Sequence, residues 1–154
     1  MKLKPEQTDD PVVIRKTAMD CLARREHGEQ ELARKLLARG FAPDLVETAI
    51  HSLIADGLLS DRRFVEAFVY SRYQKGSGPQ KIHAELRQRG IDDGLISVCL
   101  ETVEELWLER LREVREKKFG PGLPRAFSER NRQMRFLQQR GFTSEQIYAV
   151  FKDE

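Results

Sequence analysis

Only two cysteines, one tryptophan and three histidines occur among the 154 residues, and each scarcity excludes something. Cys21 and Cys99 lie far apart, each within an otherwise apolar helical pattern, so two buried thiols are expected rather than a disulfide. His27, His51 and His83 have no Cys or acidic partners at metal-ligand spacing, and His27 and His51 are expected on or near helix surfaces. No apolar run approaches the roughly 18 residues that a membrane helix needs. The opening Met1–Glu6 stretch lacks the apolar core of a signal peptide, so the expected location is cytoplasmic. There is no P-loop, no nucleophile elbow and no dinucleotide fingerprint. Gly76-Ser77-Gly78 matches a phosphate-cradling loop only loosely, and Pro79 directly after it reads as a helix start. Glu101, Glu104 and Glu105 sit at helical spacing and read as a solvated face. No catalytic residue, cofactor or metal is expected, and the protein reads as a non-enzyme.

What is present is charge, and it is sorted along the chain. Residues 62–90 carry seven Lys or Arg against two acids, and residues 91–109 carry six acids and no Lys or Arg. Residues 110–140 carry ten Lys or Arg against three acids. The same alternation runs through residues 11–39 (basic) and 40–61 (acidic), so the overall charge of +2 conceals a strongly dipolar surface.

Apolar residues repeat with the same period, near 50 residues. Leu32–Phe41, Ile82–Ile91 and Gln133–Phe142 each run through a Leu to Arg-Gly and then Phe or Ile, with the glycines at 40, 90 and 141. Beyond the glycine, Val46, Ile96 and Ile147 correspond, as do Ala49, Cys99 and Val150, and Ile50, Leu100 and Phe151. Spacings of three and four mean helix, and each glycine stands where a left-handed residue closes one helix before the next.

Boundary residues complete the pattern. Asp10 caps a helix begun by Pro11, with Ile14, Ala18, Cys21 and Leu22 on its inner face. Gly28 opens a second helix, and Pro43 opens a third that Gly57 ends. Ser60 caps a fourth with Phe64, Val65, Phe68 and Val69 inward, and Gly76–Pro79 separates it from the fifth. Leu95–Lys118 contains no breaker, and the acid-to-base switch near 105–110 is the expected boundary there. Gly120–Pro124 is a loop, and Thr143 with Gln146 forms a capping box for the last helix. Phe136 joins Phe64 and Phe68 as expected core; Tyr70 and Tyr73 share a helix with Arg72 and Lys75 and are expected to be partly packed, with base stacking as the alternative. The fold class is therefore all-α, three tandem three-helix repeats: a tail over residues 1–10, then 11–59, 60–104 and 105–154. Such an array presents an extended surface rather than one pocket.

Three stretches carry a family resemblance. They are Arg25-Glu26-His27-Gly28-Glu29-Gln30-Glu31-Leu32 with Lys35-Leu36; Asp56-Gly57-Leu58-Leu59-Ser60-Asp61-Arg62-Arg63-Phe64-Val65; and Arg72–Ile82 with Glu85-Leu86 and Gly90-Ile91. In this order they resemble the RecX family of recombination regulators, over about residues 12–152. Gly28 stands where that family usually has Ser, which predicts a weaker cap, and the Gly120–Pro124 loop is an insertion. The resemblance implies an elongated, curved array that binds RecA–DNA filaments in their groove. It would there limit growth or promote disassembly, lowering ATP hydrolysis, strand exchange and co-protease activity.

The residues themselves supply a segregated basic face for phosphates and acidic helices for a basic protein patch. The candidate contacts are Arg24, Arg25, Arg34, Lys35, Arg62, Arg63, Arg72, Lys75, Lys81, Arg87, Arg89, Lys117, Lys118, Arg130, Arg132 and Arg135. The expected partners are the RecA filament and, more weakly and without sequence preference, single- and double-stranded DNA, bound by a monomer with no membrane association. Two alternatives stand beside it: a regulator reading duplex DNA through a helix-turn-helix-like unit, and an adaptor repeat that binds only protein.

Overall fold

Asp10 accepts a hydrogen bond from the Val12 amide at 2.9 Å, and Pro11 occupies the first helical position, so the first helix starts where its cap chemistry places it. In the computed structural model, which describes residues 9–152, α1 runs Pro11–Arg24, α2 Glu29–Ala38 and α3 Pro43–Ala55. They are followed by α4 (Asp61–Gln74), α5 (Pro79–Gln88), α6 (Asp93–Glu101), α7 (Trp107–Phe119), α8 (Phe127–Gln139) and α9 (Ser144–Lys152). No strand occurs among the described residues. The tail assigned to residues 1–10 falls, up to residue 8, outside them.

The expected boundaries are met by specific bonds. Ser60 Oγ accepts from the Arg63 amide at 3.2 Å at the start of α4. Thr143 and Gln146 cap each other reciprocally, the Gln146 amide to Thr143 Oγ1 at 3.1 Å and the Thr143 amide to Gln146 Oε1 at 2.9 Å. Gly40, Gly90 and Gly141 all have positive φ (98°, 82° and 101°), the left-handed geometry that closes a helix. The α6–α7 junction, which no Gly or Pro marks, is a 3₁₀ turn at Glu104–Leu106.

The helices pack as two compact units. Among the described residues, the first comprises 9–67 with Arg89–Ile91, and the second Phe68–Gln88 with 92–152. In the first, α1, α2 and α3 pack mutually around Ile14, Ala18, Leu32, Leu36, Phe41, Val46 and Leu53, all nearly inaccessible. Cys21 lies in this core as a free thiol. In the second, α5 packs on α6, and α7, α8 and α9 pack on one another, burying Ile82, Leu86, Ile96, Trp107, Leu111, Leu137, Phe142 and Phe151. Cys99 is the other buried free thiol. The three sequence repeats and the two packing units therefore do not coincide. Ile91 and Phe64, from the middle repeat, are buried, lie against Gly28 and belong to the first unit.

Two glycines allow a close backbone contact within the second unit. The Gly78 amide donates to Arg140 O at 2.6 Å and the Gln80 amide to Gly141 O at 2.9 Å, so two backbone segments lie directly against each other. A Cβ at Gly78 would overlap the backbone of Gly141 and Phe142, and one at Gly141 would overlap Lys81. The Ser77 amide is also occupied, donating to Arg72 O at 3.0 Å. The Gly76-Ser77-Gly78 amides are thus spent inside the protein, and the loop cradles no phosphate.

Candidate cation-lined interface

Arginine side chains hold much of the second unit together, which changes how its positive charge reads. At the end of α4, Arg110 donates to Gln74 O at 2.7 Å and to Tyr73 O at 2.9 Å, the latter also accepting from the Gly76 amide at 3.0 Å. Arg140 donates to Lys75 O at 2.9 Å and Gly76 O at 3.3 Å. Arg115 is 2% exposed and ties down the Gly120–Pro124 loop, donating to Pro121 O at 2.9 Å and Gly122 O at 3.2 Å. Sequence reasoning did not single out these three. An arginine that caps carbonyls has the same sequence signature as one that faces solvent.

The sixteen candidate cations separate by the company they keep. Arg25 forms a bidentate pair with Glu31 at 2.7 and 3.0 Å, and Arg89 reaches the same carboxylate at 3.2 Å. Burial acts to raise the Glu31 pKa, but Arg25 overrides it and holds Glu31 below the usual carboxylate range. Arg63 pairs with Glu26 at 3.1 Å and donates to Gly57 O at 2.9 Å. Arg62 lies 3.9 Å from Glu66, Arg87 is 3.2 Å from Asp93, and Arg132 is bidentate to Glu129. Arg130 donates to Phe151 O at 3.2 Å and lies over that ring. Lys118 lies over Phe136, whose ring meets Phe119 edge-on at 5.3 Å.

Arg72, another of the candidates, is already engaged: it is half-buried, pairs with Glu85 at 3.0 Å and lies 4.4 Å over the Phe68 ring. Arg24, Arg34, Lys75, Lys81, Lys117 and Arg135 are exposed and have no ion pair among the described residues. Among the candidates, these six keep an uncommitted charge.

The aromatic expectations also divide. Phe64 and Phe68 are buried, whereas Phe136 is half-buried within the cation–aromatic stack. Tyr73 packs edge-on to Trp107 at 5.4 Å, but Tyr70, expected to be partly packed, is 68% exposed.

His27 is the larger correction. It lies in the α1–α2 connection, not on a surface, and is 1% exposed. Its Nδ1 is 3.1 Å from Arg25 O and its Nε2 is 2.8 Å from Lys35 Nζ. Since a carbonyl only accepts and an ammonium only donates, Nδ1 carries the proton and the ring is neutral. Burial, followed by the charges of Arg25 and Lys35, lowers its pKa despite the opposing bond to Arg25 O. His27 lines a groove of about 730 Å³ together with Asp20, Cys21, Arg24, Arg25, Lys35, Ala38 and Arg39. His51 is exposed, and His83 Nε2 lies 3.0 Å from Asp93 Oδ1. No cluster of three potential metal ligands exists among the described residues.

This arrangement of helices and closing glycines matches three family descriptions in order. They are the first three-helix domain of RecX over residues 15–53, the second over 60–100 and the third over 104–151. The chain belongs to the RecX family. It is 48% identical over 137 residues to regulatory protein RecX of Halorhodospira halophila, covering 89% of this chain and 85% of that one. It is 47% identical over 143 residues to regulatory protein RecX of Pseudomonas syringae pv. tomato, covering 93% and 92%. The fold is that of the crystal structure of RecX from Lactobacillus salivarius, with a TM-score of 0.82 at 22% identity over 93% of this chain and 95% of that one. A second crystal structure, of regulatory protein RecX, gives a TM-score of 0.79 over 94% and 73%. Among the described residues of this RecX chain, no helix is long and apolar enough to cross a membrane.

Proposed function

We propose that the protein binds RecA–DNA filaments in their helical groove and restrains them, lowering ATP hydrolysis, strand exchange and co-protease activity. The observation that carries this reading is the match to all three RecX domains in order, in a chain nearly half identical to proteins named as regulators. The distribution of charge supports it. Lys75, Lys81, Lys117 and Arg135 are exposed without ion pairs among the described residues, available to phosphates. The acids at Asp92, Asp93, Glu101, Glu104 and Glu105 are exposed as well, and they would repel DNA while suiting a basic protein patch. A ligand of a nucleoprotein filament uses both signs.

On this reading the protein acts in the cytoplasm as a monomer, through binding alone, and takes naked DNA more weakly than the filament. Titrating single-stranded DNA, duplex and RecA filament under one salt condition tests it. Preference for the filament together with a fall in RecA's ATPase is expected. Equal or tighter binding to duplex would favour a direct DNA-reading regulator, and binding to DNA-free RecA alone would favour a protein adaptor.

A further inference from the structure

Four cations, Arg24, Arg25, Lys35 and Arg39, line the groove of the first unit against one carboxylate, Asp20. Part of this charge answers the two helices that end there, α1 at Arg24 and α2 at Ala38. Each helix end contributes about half a negative charge. Glu31, beyond the lining, is shared between Arg25 and Arg89. Counting these five cations against Asp20, Glu31 and two helix ends leaves an excess of about two positive charges. The groove is therefore electropositive rather than balanced.

The manner in which Lys35 is held points the same way. Its ammonium donates to the neutral His27 ring at 2.8 Å, and that ring is fixed from its other side by Arg25 O. A lysine anchored on a carboxylate presents little net charge. One anchored on a neutral acceptor keeps its full charge and two further N–H donors. Arg24 and Arg39 flank it, exposed and without ion pairs among the described residues.

We propose that this groove is a phosphate site, in which Lys35, positioned by His27, binds a backbone phosphodiester of a nucleic-acid strand together with Arg24 and Arg39. The anion chemistry follows from the groove; the strand as its source rests on the filament reading above.

The test uses the full chain and two probes, inorganic phosphate and a dT oligonucleotide, with the His27 imidazole followed by NMR. Both probes are expected to shift the His27 resonances saturably in the wild type. Lys35→Gln should abolish the response to phosphate. It should also reduce the log–log salt slope of dT binding by about 0.7, the share of one phosphate on a single strand. His27→Leu should weaken dT binding, and His27→Gln, which restores a neutral acceptor, should recover it. A merely structural His27 would lower the melting temperature in both variants and leave dT binding at temperatures below melting unchanged. Wild-type dT affinity and salt slope in a Lys35→Gln/Arg39→Gln variant overturn the site, whether or not filaments still bind. Phosphate binding without any response to dT overturns the strand as its source. Loss of the filament reading, with both probes still held through Lys35, would leave the groove standing.

Discussion

Asp61 Oδ1 accepts a hydrogen bond of 2.7 Å from the backbone amide of Glu29, thirty-two residues earlier in the chain. Glu29 is the first residue of α2, and its cap position holds Gly28, which has no side chain to offer. The carboxylate that opens α4 therefore caps α2 from outside, replacing the serine that the family resemblance led one to expect. Burial, reinforced by the Asp61 charge, raises the Glu29 pKa, a sign of how close the two acids lie.

Removing this cap should be measurable. Asp61→Ala is expected to cost about 1 kcal/mol, the usual value of an N-cap, and Asp61→Asn much less. Gly28→Ser in the Asp61→Ala background should recover part of the loss, since its Cβ would sit 3.2 Å from the flexible end of Ile91. Thermal melts of the four proteins decide the matter. An Asp61→Ala variant as stable as the wild type would show that water caps α2 equally well.

A second expectation separates two kinds of glycine. Gly78→Ala forces a methyl into the backbone of Gly141 and Phe142 and should cost about 2–3 kcal/mol by overpacking. Gly57, with φ 73° and nothing within 4 Å, meets only conformational strain, so Gly57→Ala should cost about 1 kcal/mol. Urea denaturation compares them directly. Equal losses would mean that the Gly78–Gly141 approach relaxes freely.

How much of this was legible in the sequence depends on whether the cause is local. Caps at Asp10, Ser60 and Thr143, the closing glycines and the apolar faces act within a turn or two, and each stood out. The fate of a cation is set from much farther away. The arginines before the three repeat glycines occupy one sequence position, yet Arg39 lines an open groove, Arg89 pairs with Glu31, and Arg140 is spent on carbonyls 64 and 65 residues away. His27 was misplaced for the same reason, because a connection carries no periodicity from which burial can be inferred.

The ion pair of Arg72 alters how the middle basic stretch should be probed. Arg72→Glu would set a like charge against Glu85 and strip the cation from the Phe68 ring, so it should lower the melting temperature. Loss of the half-exposed pair by itself is worth no more than about 1 kcal/mol. Lys75→Glu with Lys81→Glu carries no such penalty and is the clean test of filament binding. It should weaken binding and reduce the salt slope by about two units on duplex-like contacts, with melting unchanged. Wild-type binding by this double variant would move the interface to Lys117 and Arg135.

Protonation of His27 offers the last expectation, and its sign is fixed by the surroundings. The folded-state pKa lies below the ordinary histidine value, first because the ring is buried and then because Arg25 and Lys35 face it. The unfolded chain therefore takes up the proton first as pH falls. The stability contribution is complete above the unfolded value of about 6.5 and is lost progressively below it, by at most about 1.4 kcal/mol per pH unit for one group. Glu31, the acid facing this cluster from α2, stays ionised across that range, because its own pKa is held below the ordinary carboxylate value. Protonating Nε2 also removes the acceptor of the Lys35 bond and places a third positive charge beside two others. Chemical denaturation at pH 7.5 and 5.5 should therefore show lower stability at the acid end. His27→Gln, which keeps a neutral acceptor and does not titrate, should flatten the difference. A pH dependence as steep in His27→Gln as in the wild type would assign the acid sensitivity to groups other than His27.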